Sequence, residues 1–187
     1  MRRTKEDAMQ TRETVLVAAT QVIARLGVNA FTIDAVAKEA GVTKGGVLHH
    51  FPSKEALIEG LIAQVMQTFK TRLQAELATD TLGDTGRWLR AYIRTVFSVQ
   101  YEVQNLIPAL AAAVAADHQT LNRIRQGFEE SQQAAIHDGI DPIQATIARL
   151  AVDGIVFARA LNIDVLDQET SQKIYEALFK LTQGIEA

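Results

Sequence analysis

The segment "IDAVAKEAGVTKGGVLHHFPSKEAL", residues 33–57, decides the fold because it encodes two short helices on either side of a tight turn. Residues 33–40 carry apolar side chains at the three- and four-residue spacing of a buried helical stripe. Gly41 can adopt the positive φ that turns the chain. Thr43 then caps a second helix of barely two turns, which ends before Pro52 because the α conformation is disfavoured ahead of proline. This pattern predicts a helix-turn-helix.

Helical spacing continues on both sides of this segment, and no stretch shows the sustained alternation of a strand. Thr32 and Ser53 are suitable N-caps for the helices that follow them, and Gly27 is a suitable stop for the helix before. The chain is therefore predicted to be all-α. Helices are expected at about residues 11–26, 33–40, 43–50, 53–78, 85–100, 106–116, 121–137, 142–161 and 168–183.

Charge is distributed unevenly along the chain of 187 residues, whose formal net charge is −3. Residues 1–54 carry eight Lys or Arg and five Asp or Glu, a net charge of +3, whereas residues 55–187 carry a net −6. A positive N-terminal unit favours contact with phosphates, and a negative remainder keeps the rest of the chain away from the same polyanion.

Composition excludes several classes of protein. There is no cysteine, so disulfides, thiolate metal sites and cysteine nucleophiles are ruled out. The longest uninterrupted apolar run, residues 106–116, is too short to span a bilayer. The N-terminal residues lack the apolar segment of a secretory signal. We expect a soluble cytoplasmic protein with no membrane partner and no cofactor.

The two glycines of the second short helix suggest a surface that meets DNA. A glycine inside a helix costs about 1 kcal/mol relative to alanine, so Gly45 and Gly46 need a compensating role. Without side chains, this first turn can approach a major groove closely, and Lys44 beside it can reach a guanine edge or a phosphate. The alternative is that the glycines extend the turn and the helix begins at Val47.

His49 and His50 could suggest a metal site, but the geometry argues against it. Adjacent helical residues point about 100° apart, so the two rings do not readily share one ion. We predict no metal site. One histidine is expected to donate to a phosphate while the other packs beneath the motif.

The longer stretch "FTIDAVAKEAGVTKGGVLHHFPSKEAL", together with the amphipathic helix before it, resembles the DNA-binding domain of TetR-family transcriptional regulators over about residues 11–62. The resemblance implies phosphate contacts from Thr32, His49 and Lys54. It also places four residues at the base-reading end of the helix: Thr43, Lys44, Gly45 and Gly46.

Two residues depart from the family's pattern. Leu48 occupies a position where the family usually has a tyrosine that contacts DNA, and Gly46 stands where a larger residue is commoner. Leu48 can meet a thymine methyl group but cannot donate a hydrogen bond. We therefore place Leu48, with His50, in the predicted DNA-binding surface, and derive no operator sequence from them.

The last two helices carry apolar stripes interleaved with small residues. Two such helices from each of two subunits would form a four-helix bundle, and the resemblance also implies dimerisation through them. The alternative is that the stripes are core within one subunit, and both can hold in part. The predicted homodimer interface consists of Ile147, Leu150, Ala151, Gly154, Ala158, Ile174, Leu178 and Leu181.

Aromatic residues are concentrated in the middle helices, where such residues are usually core. Several of them could instead line an apolar cavity with a few polar groups, as small-molecule sites do, and a ligand pocket is what the resemblance implies. The predicted effector contacts are Trp88, Tyr92, Thr95, Tyr101, Phe128 and Phe157. Arg87, Arg90 and Arg94 are expected to form a solvated face, although one could turn inward to an anionic ligand.

These patterns predict a DNA-binding domain over residues 1–52 and a helical ligand-binding and dimerisation domain over residues 53–187. The resemblance implies a repressor that binds a palindromic DNA operator as a homodimer and is released by a largely apolar small-molecule effector. One alternative is an architectural DNA-binding protein without an effector. The other is a helical enzyme, but no nucleophile elbow, zinc motif or phosphate loop is present.

Overall fold

A computed structural model describes residues 5–27, 30–98, 118–160 and 163–183. These residues form eight helices and no strand. The helices are α1 (Lys5–Leu26), α2 (Ile33–Ala40), α3 (Lys44–His50), α4 (Lys54–Thr79), α5 (Arg87–Ser98), α6 (His118–Ile136), α7 (Pro142–Ala160) and α8 (Gln168–Lys180). The predicted all-α class is confirmed.

Helix boundaries differ from the predicted ones mainly at the N-terminus. α1 begins at Lys5 rather than near Thr11, and its first turn contains the acidic pair Glu6 and Asp7. Negative side chains in a first turn are favourable because they face the positive end of the helix dipole. The helix predicted over residues 106–116 lies outside the described residues.

The first hydrophobic core joins α1, α2 and α3 to the N-terminal part of α4. Fully or almost fully buried side chains from all of these elements meet there, among them Val15, Val22, Phe31, Val36, Val47, Phe51, Leu57 and Leu61. α4 packs tightly against the Phe51 ring at Gly60, because a Cβ at this position would lie 2.6 Å from Cε1 of Phe51. α1 and α4 therefore pack against the buried side of the helix-turn-helix.

The second core has α5 at its centre, packed against α4, α6, α7 and α8. Five consecutive residues of α5, Leu89 to Ile93, are buried, so this helix has little solvent-facing surface in its first half. The side chains that pack against α5 in this core include Ala148 and Val152 of α7 and Leu178 of α8.

The start of α5 is fixed by residues distant in sequence. The Asp138 carboxylate accepts the backbone N–H groups of Trp88 and Leu89, each at 2.8 Å, and thus caps a helix about fifty positions earlier in the chain. Gly86 has a φ of +71°, and a Cβ there would lie 1.9 Å from the Thr182 carbonyl oxygen. Glycine is therefore required for Thr182, which follows α8, to pack against this turn.

α4 belongs to both cores. Leu57, Leu61 and Ile62 are buried in the first core, and Leu73 is buried in the second. The helix-turn-helix and the helical remainder are therefore joined through one continuous helix of 26 residues.

None of the helices in the described part of the chain combines the length and the apolar character needed to cross a membrane.

Candidate nucleic-acid interface and effector region

α3 begins directly after Thr43, whose extended backbone and side chain form the N-cap. Its Oγ1 accepts a hydrogen bond from the Gly46 N–H at 3.0 Å. Both glycines therefore lie within the helix, and the alternative start at Val47 is wrong. A Cβ at exposed Gly45 would meet nothing closer than Thr43 Oγ1 at 3.9 Å. The first turn of α3 thus presents backbone to solvent.

Two other predicted caps have the same geometry. Thr32 Oγ1 accepts the Ala35 N–H at 3.1 Å, and Ser53 Oγ accepts the Ala56 N–H at 3.1 Å. A hydroxyl that accepts in this way still keeps its own proton as a donor. Exposed Thr32 can therefore fix the start of α2 and donate to a phosphate at the same time.

Lys54 lies at the first position of α4 and is exposed. Its Nζ lies 5.6 Å from the ring centroid of Phe31, which is buried. Such a cation–π contact orients the lysine without neutralising its charge. Since Thr32 follows Phe31 in the chain, two of the predicted phosphate contacts, Thr32 and Lys54, belong to one patch.

The two histidines occupy different environments. His49 is exposed and His50 is half-buried, and their rings meet edge to face at a centroid distance of 5.2 Å. Leu48 is also half-buried. This placement fits one histidine facing a ligand and the other packing inward. Among the described residues, no three His, Cys, Asp or Glu side chains are grouped as a metal would require.

Lys44 has a partner that sequence reasoning missed. Its Nζ lies 2.9 Å from Oδ2 of Asp34, a first-turn residue of α2. The pair is exposed, with 58% of the lysine side chain and 69% of the aspartate side chain accessible. No local sequence spacing marks the pair, because the turn of the helix-turn-helix brings the two residues together.

Gly45→Ala is predicted to separate stability from DNA binding. The new methyl group has room, and alanine in place of helical glycine adds up to about 1 kcal/mol to the free energy of unfolding. The same methyl projects from the predicted DNA-binding surface, so operator affinity should fall about tenfold. Urea unfolding and fluorescence anisotropy measure the two effects.

Gly127→Ala is the matched control, because Gly127 is also helical but lies in α6, where a Cβ would meet the flexible end of Met66 at 3.3 Å. Because Gly127 also lines the groove between α4 and α6, the comparison is made without effector, and this variant should then keep its operator affinity. If the Gly45→Ala and Gly127→Ala proteins bind the operator with equal affinity, Gly45 is not part of the DNA-binding surface.

The predicted effector contacts on α5 are largely buried. Trp88 and Tyr92 are stacked with ring centroids 4.9 Å apart, and Tyr92 is 6% exposed. Thr95 is fully buried, and its Oγ1 donates to the Ala91 carbonyl oxygen at 2.8 Å. These three side chains belong to the packed second core rather than to an open space.

Phe128 of α6 and Phe157 of α7 stack across the two helices at a centroid distance of 6.4 Å. Both are partly exposed, with 39% and 48% of the residue surface accessible. The sixth predicted contact, Tyr101, lies outside the described residues.

Two open grooves lie on the surface of the described part of the chain. One, of about 270 Å³, lies between α4 and α6 and is lined by Glu59, Ile62, Ala63, Met66, Arg123, Gln126, Gly127 and Glu130. The other, of about 480 Å³, lies where α5, α7 and α8 meet and is lined by Phe97, Arg159, Leu166, Gln168, Ser171, Gln172 and Tyr175. None of the five described effector residues lines either groove, so their role stays a prediction.

A buried polar network connects α5, α6 and α7. The Tyr92 hydroxyl donates to Asp153, which also pairs with Arg149, and Arg149 Nε donates to Gln132 at 2.7 Å. Burial raises the pKa of the Asp153 carboxyl, while the hydrogen bond from Tyr92 and the charge of Arg149 act in the opposite direction. Every member has a partner, so the network fixes how the three helices pack.

The expectation of a solvated arginine face on α5 is wrong for Arg90, which is 2% exposed. Arg90 Nη2 lies 2.8 Å from Oδ1 of Asp80, and Arg94 Nη1 lies 2.7 Å from Oδ2. The arginine does turn inward, but its partner is a carboxylate of the same chain. The physical reason is that α5 is surrounded by other helices, so its polar positions also become buried.

The predicted interface on α7 lies on an exposed apolar face. Ile147 is 57% exposed and Leu150 is 54% exposed, and Ala151 and Gly154 are also exposed. Ala158 is half-buried. The opposite face of the helix is buried in the second core, so this stripe is not needed for packing within the subunit.

The three interface residues predicted on α8 have a different environment. Leu178 is 5% exposed, and Ile174 and Leu181 are half-buried against the second core. For Leu178 the structure therefore favours the alternative, core within one subunit. α8 turns this stripe inward because α5 lies directly beneath it.

Two family models match the chain. The model described as "Bacterial regulatory proteins, tetR family" matches residues 15–61, and the model described as "Tetracyclin repressor-like, C-terminal domain" matches residues 86–183. The first covers the helix-turn-helix, and the second covers more than half of the chain.

The transcriptional repressor BepR of Brucella suis is 44% identical over 64 residues, which are 34% of this chain and 31% of that protein. A transcriptional regulator from a Rhodococcus species has a similar structure, with a TM-score of 0.72, 22% identity and coverage of 91% of this chain and 93% of that one.

The multidrug binding protein EbrR, solved in complex with ethidium, is also similar, with a TM-score of 0.64, 22% identity and coverage of 92% and 98%. At this identity the two structures support the fold alone, whereas the family models cover both parts of the sequence. The chain belongs to the TetR family of bacterial transcriptional regulators, which are not enzymes.

Proposed function

We propose that this regulator is a repressor that binds a palindromic operator as a homodimer and leaves it when a largely apolar small molecule binds. The observation that carries the DNA-binding part is the first turn of α3, where capped, exposed backbone lies beside Lys44. A helix N-terminus offers N–H donors to an anionic partner and leaves room for close approach to the groove.

The exposed stripe of α7 supports the homodimer. α3 is only seven residues long and can contact few base pairs, so specificity requires two half-sites about 34–36 Å apart or a multiple of that distance. A face carrying Ile147 and Leu150, with small residues between them, can pack closely against its own copy. A twofold dimer then matches a palindromic site.

An effector is supported by the printed description of EbrR as a multidrug binding protein and by the two grooves of this chain. Repression is supported by the printed description of BepR as a repressor. The groove between α4 and α6 includes Ile62, which is also part of the first core. A molecule in that groove therefore lies next to the helix that carries Lys54.

The mechanism we propose is a shift between two states of the dimer. An effector acts only if it binds the state that cannot span both half-sites more tightly than the state that can. Because α4 is part of both cores, a changed packing of its central part changes the position of its first turn. The two α3 helices then lose the spacing of the operator.

Two lysine substitutions test the DNA-binding mode. Lys54→Ala should weaken binding to operator and scrambled DNA alike, because it removes a phosphate contact. The slope of log K against log salt concentration, here called the salt slope, should become shallower by about one unit. Lys44→Ala should change the sequence preference. Fluorescence anisotropy at several salt concentrations measures both, with exposed Lys180→Ala of α8 as the control.

Equal effects of the two substitutions on both kinds of DNA would contradict these roles. A wild-type protein that binds scrambled DNA as tightly as the palindrome would instead be an architectural DNA-binding protein.

Trp88 is the sole tryptophan of the chain and can report effector binding. Its stacking on Tyr92 in the second core makes its fluorescence sensitive to changed packing of α5. Compounds that change this emission should raise the operator dissociation constant. Compounds that bind but leave operator affinity unchanged would contradict the proposed coupling.

A further inference from the structure

The exposed pair formed by Asp34 and Lys44 joins the two helices of the helix-turn-helix. Asp34 is the second residue of α2 and Lys44 is the first residue of α3, so each charge lies within two residues of a threonine N-cap. The Oδ2 to Nζ distance is 2.9 Å. A carboxylate therefore lies directly beside the cation at the base-reading end of α3.

Stability alone does not explain this arrangement. An exposed ion pair contributes about 0–1 kcal/mol, and its side chains exchange readily with water. An acidic group on a surface that approaches DNA also opposes binding, because the phosphates are negative. Asp34 thus weakens attraction to DNA where the proposed function requires it.

We propose that Asp34 is a specificity-determining residue that positions Lys44 for a base edge and discourages its use on phosphates. This inference rests on the proposed function. The lysine ammonium has three donors. In the specific complex it keeps one on Asp34 and offers the others to a guanine, whose O6 and N7 both accept in the major groove.

On non-cognate DNA the same lysine would have to turn to a phosphate. It would then leave Asp34 without its partner and close to the negatively charged backbone. The pair therefore penalises phosphate binding and has little effect on the base contact. Specificity here comes from a repulsive group beside an attractive one.

The test is Asp34→Asn, which keeps the size of the side chain and removes its charge. Affinity for scrambled DNA should rise about fivefold, and its salt slope should steepen by about 0.9. Affinity for the selected palindrome should rise less, so the ratio of specific to non-specific affinity falls. In a Lys44→Ala background the same substitution should leave this ratio unchanged.

Glu169→Gln is the control, because Glu169 forms a similarly exposed pair with Lys173 in α8, at 2.6 Å, and the substitution changes the net charge equally. The proposal would be overturned if Asp34→Asn raised the affinity for the palindrome and for scrambled DNA by the same factor. It would also be overturned if Glu169→Gln changed both affinities as Asp34→Asn does. Absence of any palindrome preference in the wild-type chain would instead overturn the proposed function. Thermal unfolding verifies that each variant is folded.

Discussion

Asp80→Ala is expected to lower the free energy of unfolding by about 3–5 kcal/mol, the typical cost of removing one partner of a buried ion pair. The Asp80 side chain has no accessible surface and accepts hydrogen bonds from Arg90 Nε at 3.0 Å, Arg90 Nη2 at 2.8 Å and Arg94 Nη1 at 2.7 Å. Without the carboxylate, the charge of buried Arg90 loses its counter-ion. Urea unfolding followed by circular dichroism measures the loss.

Asp84→Ala is the matched control in the same connection between α4 and α5. The Asp84 side chain is fully exposed and lies 3.5 Å from Arg87, so its removal should cost less than about 1 kcal/mol. Similar losses for the two variants would show that burial does not govern the Asp80 pair.

The pair formed by Asp80 and Arg90 should make the free energy of unfolding of the wild-type protein decrease in acid. The hydrogen bond from Arg90 holds the pKa of Asp80 well below its ordinary value of 3.8. The unfolded chain therefore binds the proton more readily, and stability from this carboxylate is present above pH 3.8 and decreases as pH falls toward the folded-state pKa. The difference in unfolding free energy between wild type and Asp80→Ala should shrink below about pH 4.

Ile147→Lys is expected to weaken dimerisation and, with it, operator affinity by a factor of about 100 or more, because one half-site no longer assists the other. Ile147 is 57% exposed and is the first residue of the α7 stripe, so the substitution should leave the subunit folded. In the proposed dimer the new ammonium would have to be buried in an apolar interface, which is costly without a partner of opposite charge. Sedimentation velocity and anisotropy measure the two effects.

Leu82→Lys provides the control, since Leu82 is a similarly exposed apolar residue, 60% accessible, in the connection before α5. This variant should remain dimeric and bind the operator as the wild type does. An Ile147→Lys protein that stays dimeric with full operator affinity would show that the α7 stripe is not the interface.

The helix-turn-helix could be predicted from sequence because its determinants are local. Gly41 has a φ of 66° and its N–H bonds the Ala37 and Lys38 carbonyl oxygens, which is the helix end that its position predicted. Thr43 likewise caps α3 through an atom only three residues away. Such short-range contacts leave a signature in the order of residues.

The charged interior could not be predicted because its contacts are distant in sequence. Asp138 caps α5 from about fifty residues away, and Tyr92 reaches Asp153 across 61 positions. One signal was available for Arg90, since its neighbours at 89, 91, 92 and 93 are all apolar. These four positions occupy nearly a full helical turn around Arg90, so an arginine within that turn needs a buried partner.

The length of α4 has a mechanical consequence. Leu57 in the first core and Leu73 in the second are separated by sixteen residues of continuous helix, about 24 Å along its axis. A tilt of only about 5° at the far end displaces the near end by about 2 Å, most of the length of a hydrogen bond. Under the proposed mechanism α4 would act as a lever arm, and a rearrangement too small to disturb either core would be enough to change the position of Lys54 at its first turn.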